Sequence, residues 1–565
     1  MTRRVFPGIL FISIVILLIA ASGCIFFPPE PQELEPVSDA YYAEMDKVLI
    51  PYMQIVDEEM KRITASVWDA ARELDGVPAD DPSIDLALLK LKSELPMSYD
   101  MGRVDADNVL RAITGEENNQ LLVGRVIKTP PFTEEEFEAA GSACIISGYS
   151  AFQNKERGVK VIAPIYDAEG NFDGTLQVSL NIIYLLSGPA DILRAEYGYT
   201  VWAAQENGIV LYDENSRQIG IDLKTTSLDN TPSFTKAVAE ILTNESGHVS
   251  YISYMPELNN ISQTNAVWST LDPGYGQKWR VVLVDNFPKP HEITETTTTP
   301  EELKAFVMNA FVYANTEGEE KALAAFNDLN GEFIDGEMYI FAGDMNGTIL
   351  SHPYQPAIVG KDSWSAEDST GVKYIQRMIA RAQQGGGYVF YLYPNPSQNY
   401  KTELKLSYVL PINNEWFIGA GMYEHYAAFS HTVTVDWQKR NELISQVRTM
   451  HYLATVDGIS SVTEMIMDPT SEIQREGLYP FAVTGNGTIL AFSRDKTLVG
   501  TNQLGLTNSY CMSFVREGIS LGKSGGGLMY ALVWDPNYQR EVYVLDYVEP
   551  AGNDTYFASY MILED

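Results

Sequence analysis

Cysteine is almost missing from this chain, three in 565 residues. Cys24 falls in an N-terminal leader, and Cys144 and Cys511 lie far apart, so the spacing excludes a disulfide framework and predicts two buried free thiols. Histidine is scarce as well, six in all, and no His or Cys pair has metal-ligand spacing. Positive charge is short: 39 Lys and Arg stand against 75 Asp and Glu, for a net charge of −36. A chain so acidic is repelled by phosphate backbones, which excludes nucleic acid as a partner. G-x-S-x-G, H-E-x-x-H, P-loop and dinucleotide fingerprints are all absent, so nothing in the sequence signals an enzyme, a cofactor or a metal. Asp105–Asn108 and Asp167–Asp173 carry the oxygen types calcium takes, but not the loop spacing, and read as turns. After the leader no stretch reaches about 18 apolar residues, so no second membrane span is expected.

The leader itself, residues 1–24, pairs Arg3 and Arg4 with an apolar run and ends Ala21-Ser22-Gly23-Cys24. That is an export signal, and its ending resembles a lipobox, in which Cys24 becomes the lipidated first residue. The alternative is an uncleaved signal anchor; either way the rest lies outside the cytoplasm, tethered to the membrane. Residues 25–38, rich in Pro and Glu, read as a spacer. From Asp39 to Leu74 apolar residues recur every three or four positions (Tyr42, Met45, Leu49, Met53, Val56, Met60, Ile63, Val67), predicting one long amphipathic helix bent at Pro51.

Two copies of one pentapeptide organise the remainder. NGTIL stands at Asn346–Leu350 and, 140 positions on, at Asn486–Leu490. In the same register Phe341, Gly360, Gly385-Gly386-Gly387 and Pro396 match Phe481, Gly500, Gly525-Gly526-Gly527 and Pro536. Asn207-Gly208, Gly220 and Gly247 repeat the landmarks once more upstream. A period this long exceeds a solenoid repeat and implies α+β domains in series. Each begins with a helix, turns at Asn-Gly as a tight hairpin would, and ends in alternating aromatic strands such as GYVFYLY. Thr299, Pro300 and Glu302 start one such helix, expected to run to about Asn327, and another is expected from about Ser430 to Val456.

The stretches MYIFAGDMNGTILSHPYQPAIVGKD, GGGYVFYLYPNP, ELKLSYVLPI and EWFIGAGMY, within 338–423, resemble the Cache family of extracytoplasmic sensor domains. Residues 478–562 resemble a diverged copy, and 39–286, with GVKVIAPIYDAEGNFDGTLQVSL, a double Cache. The resemblance implies tandem PAS-like modules: a double Cache over 39–286 (distal unit about 80–190, proximal unit about 195–286), a linker over 287–299, a single Cache over 300–425 and a second over 430–565. It implies antiparallel sheets flanked by helices, each with a small-molecule pocket for a carboxylate, amine, amino acid or purine. The candidate ligand residues are Tyr339, His352, Tyr391, Tyr393, Lys405 and Tyr408 in the third module, and Tyr149, Arg157, Lys160 and Asp167 in the distal unit, Asp167 being also a turn former. The Arg-x-x-Trp-Tyr pattern of amino-acid-binding double Cache domains is absent. In the last module Phe492, Ala531 and Val533 replace His352, Tyr391 and Tyr393, marking it as the more structural copy. The sequence carries no cytoplasmic output domain, so the expectation is a binding protein that passes ligand or bound state to a transporter or membrane receptor. An envelope spacer without ligand is the alternative, and an exported hydrolase a third.

Overall fold

The computed structural model describes Leu34 and residues 36–563, apart from 115–120, 128–131, 142–143, 153–155, 198, 214–217, 226–231, 256–259, 275, 286–297, 396–400 and 424–434. The leader with Cys24, most of the spacer and most of the 287–299 linker therefore lie outside the described residues. No helix among those described is long and apolar enough to cross a membrane.

Helix α1 (Asp39–Glu73) is capped by Ser38, whose side chain accepts the Tyr41 amide, and passes through Pro51 without a break. Its buried stripe widens just past that proline: Tyr52 is fully buried and its hydroxyl donates to the Leu186 carbonyl at 2.8 Å, while the predicted Met53 packs half-buried against the same core. Helix α2 (Ser83–Glu94) follows, then β1 (Ser98–Asp105), β2 (Leu110–Ile113), α3 (Glu134–Ala139), β3 (Ile145–Ile146), β4 (Ser150–Ala151), β5 (Arg157–Tyr166) and β6 (Phe172–Leu180). They build a first antiparallel sheet in the order β2-β1-β6-β5-β3. Helix α4 (Ile182–Tyr197) leads to β7 (Thr200–Gln205), β8 (Val210–Asp213), α5 (Pro232–Thr243), β9 (Gly247–Met255), β10 (Asn260–Gly274) and β11 (Gln277–Asp285), a second sheet ordered β8-β7-β11-β10-β9.

The helix start predicted at Thr299 is present, and it is a capping box: the Thr299 side chain and the Glu302 carboxylate exchange hydrogen bonds with each other's backbone. The helix expected to reach Asn327 is instead two, α6 (Pro300–Glu317) and α7 (Glu319–Phe326), because Gly318 takes φ +85° and ends the first. Strands β12 (Ile334–Asp335), β13 (Met338–Tyr339), β14 (Phe341–Asp344) and β15 (Ile349–Ser351), helix α8 (Tyr374–Gln383), then β16 (Gly387–Asn395), β17 (Lys401–Pro411) and β18 (Trp416–Tyr423) follow. The last helices and strands are α9 (Trp437–Asp457), α10 (Ile459–Met467), β19 (Leu478–Thr484), β20 (Ile489–Phe492), α11 (Phe514–Lys523), β21 (Gly527–Asp535), β22 (Arg540–Gly552) and β23 (Thr555–Ile562). The third sheet runs β15-β14-β18-β17-β16 and the fourth β20-β19-β23-β22-β21. The second, third and fourth sheets thus share one strand order; the first follows it with β4 added beside β3 on β5, and β12 and β13 form a separate two-stranded sheet.

At the Asn-Gly turns only the glycine takes a positive φ, +96° at Gly347 and +86° at Gly487, so these are not two-residue hairpins. Asp344 organises the first, its carboxylate accepting the amides of Asn346 and Thr348, and Thr484 organises the second. Of the two thiols expected to be buried, Cys144 is, and Cys511 is exposed. Cys511 sits at φ +58° in the tight Asn508–Met512 turn, which points its side chain outward.

The modules do not stand apart in series. Helix α9 packs along α2 as well as on the fourth sheet. From it Arg448, 8% exposed, donates to the carbonyls of Leu95 (2.8 Å) and Ser98 (3.1 Å) on one side and pairs with Glu549 (3.3 Å) on the other. Lys92 pairs with Glu549 as well, at 3.6 Å, and His451 Nδ1 stands 3.3 Å from the same carboxylate.

Candidate functional site

Strand parity and register assemble a cluster on one face of the third sheet. Tyr391 pairs with Lys405 and Lys405 with Tyr423, and Ser407 pairs with Gly421, so these side chains share a face. Tyr393 follows two positions after Tyr391 on the same side. Helix α8 covers them by stacking Tyr374 on Tyr391, with ring centroids 5.0 Å apart and planes 14° from parallel. His352 and Tyr339 close the remaining side, their rings 5.0 Å apart.

Lys405 lies at the centre with no exposed surface. Its ammonium donates to the Tyr339 hydroxyl at 2.9 Å and sits 4.2, 4.9 and 5.1 Å from the ring centres of Tyr339, Tyr423 and Tyr393. Aromatic faces attract a cation, but they replace only part of its lost hydration. Among the described residues no carboxylate pairs with this ammonium, and burial pushes it down to about 7, with Glu337 the opposing charge. Around it, Tyr391 shares a 2.9 Å hydrogen bond with Ser407, while the Tyr393 hydroxyl donates to Gln355 at 2.7 Å and meets His352 Nε2 at 3.3 Å. Burial raises the pKa of Tyr339, Tyr391 and Tyr423, which keeps all three as hydroxyl donors. Gly421 makes room beneath, since a Cβ there would stand 2.2 Å from Lys405 Cε. Chemically this is a cation ringed by neutral donors, a set suited to a small anion.

Five of the six residues expected in this module, Tyr339, His352, Tyr391, Tyr393 and Lys405, are brought together. Tyr408 is not. It stands three positions from Lys405, hence on the opposite face, against Tyr388 (4.8 Å) and Lys304 (5.7 Å). Ser407, Tyr374, Gln355 and Tyr423 were missed; alternation along β17 would have found Ser407.

In the distal unit Lys160 is joined to groups absent from the expected set. Asp100 and Lys160 both pair with Ser179 across β6, and Lys160 donates to Gln177 at 3.0 Å. Burial raises Asp100 and lowers Lys160, each opposing the other's shift. Tyr149 is pushed up to about 12 by burial, with the neighbouring Arg157 guanidinium opposing it. Asp167 stands elsewhere, holding the β5–β6 turn through the amides of Glu169 and Asn171.

The fourth sheet repeats the frame with other contents. Ala531 pairs with Val544 and Val544 with Ile562, so Val544 holds the place of Lys405 and Tyr560 that of Gly421. Its hairpin is one residue shorter, closing at Asp535–Arg540 where the third closes at Asn395–Lys401, which shifts the offset from 140 to 139 beyond it. Arg494 is its buried cation, 4.0 Å from the Tyr479 ring and paired with Asp535 at 2.6 Å.

Comparison with known proteins agrees with the geometry. Residues 308–550 match the model of the Cache domain, a span that holds the third sheet and the fourth as far as β22. That part of the chain belongs to the Cache family of extracytoplasmic sensor domains, as the sequence suggested. Over 86 residues the chain is 34% identical to a sensor histidine kinase, MctS, of Rhizobium johnstonii; the match covers 15% of this chain and 18% of the kinase. An extracellular ligand-binding receptor from Desulfohalobium retbaense is similar in structure at 16% identity and a TM-score of 0.36, over 44% of this chain and 41% of that one. The ligand-binding domain of the Pseudomonas fluorescens chemoreceptor CtaA, in complex with L-alanine, is similar at 12% identity and a TM-score of 0.32, over 44% of this chain and 96% of that one.

Proposed function

We propose that this chain is a membrane-tethered, extracytoplasmic binding protein whose third sheet takes a small carboxylate at Lys405. The supporting observation is the buried Lys405 ammonium, ringed by Tyr339, Tyr393 and Tyr423, with Glu337 as its opposing charge but no carboxylate in ion-pair contact among the described residues. A charge in that position is costly until an anion joins it. A bound carboxylate accepts from Lys405 and from the tyrosine hydroxyls, and the helix α8 side chains close over it. The mechanism is recognition without turnover: Cys24 holds the protein at the membrane, and the occupied state is passed to a membrane receptor or transporter. On this reading residues 39–286 are one pair of modules, and 300–425 with 430–565 a second. The polar row of Asp100, Ser179 and Lys160 is a second candidate pocket, with charges of both signs for an amino acid.

Thermal unfolding of residues 36–565 against acetate, propionate, lactate, pyruvate, amino acids, amines and purines tests the reading. A ligand at about 100 times its dissociation constant adds roughly 2.7 kcal/mol, which moves a transition by several degrees. The expected result is a shift with a short carboxylate that Lys405→Met removes. No shift with any compound would leave the spacer reading, which the filled fourth sheet already favours for that module.

A further inference from the structure

Residues 366–374, the segment entering α8, touch three other parts of the molecule. Glu367 accepts from the Tyr184 hydroxyl at 2.6 Å and the Asn181 amide at 2.9 Å, both in the first pair of modules. Lys373 pairs with Glu156, just ahead of β5, and stands 4.0 Å from Glu367. Thr370 shares a 2.6 Å hydrogen bond with Tyr530 of the fourth sheet, and its carbonyl accepts from Arg440 of α9 at 3.0 Å. Asp368 turns inward and holds the segment's own fold by accepting the amides of Thr370, Val372 and Leu392. Gly371 adopts φ +99° with the Tyr184 hydroxyl where a Cβ would be, so nothing larger passes there.

The Glu367 side chain is 5% exposed at this junction. The charged and titratable groups facing it are Lys373 and Asp368 on its own segment, Glu156 ahead of β5, Tyr184 on α4, Tyr99 on β1, Tyr149 ahead of β4 and Arg440 on α9. Two carboxylates, Glu156 and Glu367, divide one lysine between them.

We propose that residues 366–374 form a proton-controlled dock, in which protonated Glu367 holds the second pair of modules to the first and loss of that proton loosens the contact. The sign follows from burial, which, helped by the neighbouring Glu156 carboxylate, outweighs Lys373 and the hydrogen bonds from Tyr184 and Asn181 and pushes Glu367 up from 4.5 to about 7 in the docked state. The docked form therefore binds the proton more tightly than the open form, and docking weakens as pH rises from about 4.5 to about 7. The inference needs no ligand, so it stands or falls independently of the carboxylate reading.

Hydrogen–deuterium exchange on the full mature chain, corrected for the intrinsic pH dependence of exchange, tests it at pH 5.5, 7 and 8.5. Peptides covering 181–187 and 366–374 are expected to exchange faster at pH 8.5 than at 5.5 by on the order of tenfold, while β10 and β11 of the second sheet do not change. In Glu367→Gln the same peptides stay protected throughout. Equal protection at all three pH values in the wild type overturns the proposal, and so does an undiminished pH dependence in the variant. Should the variant not fold, the wild-type series decides alone.

Discussion

The third and fourth sheets share their strand order, their Asn-Gly turns and a covering helix, yet they treat a buried cation in opposite ways. In the fourth, Arg494 lies on Tyr479 and is paired with Asp535 at 2.6 Å, and Phe492, Val544 and Tyr560 fill the space around. In the third, Lys405 lies on Tyr339 with Glu337 as its opposing charge and no carboxylate in ion-pair contact among the described residues, while Gly421 leaves room where the sibling has a tyrosine. The fold needs only what the two have in common. What sets the third apart is that its sheet face buries a cation, Lys405, where the fourth buries a carboxyl: Asp546 stands fully buried in the place of Ser407, and burial holds it far above the usual carboxylate range, with Arg377 opposing.

The largest effect should come from disturbing the balanced copy. Asp535→Ala strands a buried guanidinium and is expected to cost about 3–5 kcal/mol in urea unfolding. Lys405→Met should do the reverse in the unbalanced copy: it removes a buried charge and stabilises the ligand-free protein, by on the order of 1–4 kcal/mol, while abolishing the carboxylate-induced thermal shift. A destabilised Lys405→Met would mean that the lysine is already satisfied and would erase the contrast. Next comes pH. Because the free-state ammonium is lowered to about 7, carboxylate binding must bring a proton with it above that point, and affinity measured by calorimetry should fall about tenfold per pH unit from 7 upward. The same depression makes the unfolded chain bind more protons between about 7 and 10.5, so the ligand-free third sheet should gain stability over that range. The smallest effect belongs to Tyr391→Phe, which loses the hydrogen bond to Ser407 and should weaken binding by about 0.5–1.5 kcal/mol.

Much of this contrast could be read before the fold was seen. The repeated NGTIL and its flanking glycines report turns and close approaches, which depend on a few local residues, and the replacement of His352, Tyr391 and Tyr393 by Phe492, Ala531 and Val533 already separated the two copies. The misplacement of Tyr408 was avoidable, since residues three apart in a strand face opposite ways. Gly318 was harder: a single left-handed glycine splits a helix whose apolar pattern continues through it. The partners of Lys160 depend on which strand lies between β1 and β5, and the junction of Glu367 with Asn181 joins residues 186 positions apart. Neither carries a periodic signature, because pairing across modules is set by how whole sheets dock.

Arg448 carries a further consequence. Its guanidinium is socketed against the backbone of one pair of modules while its salt bridge belongs to the other. A chimera that transplanted the second pair onto a foreign receptor would therefore arrive with an open socket: an arginine stripped of its carbonyl acceptors, and Ser445 without the Ser93 carbonyl it donates to. These segments look like interchangeable cassettes in sequence, but Arg448 ties one to the other.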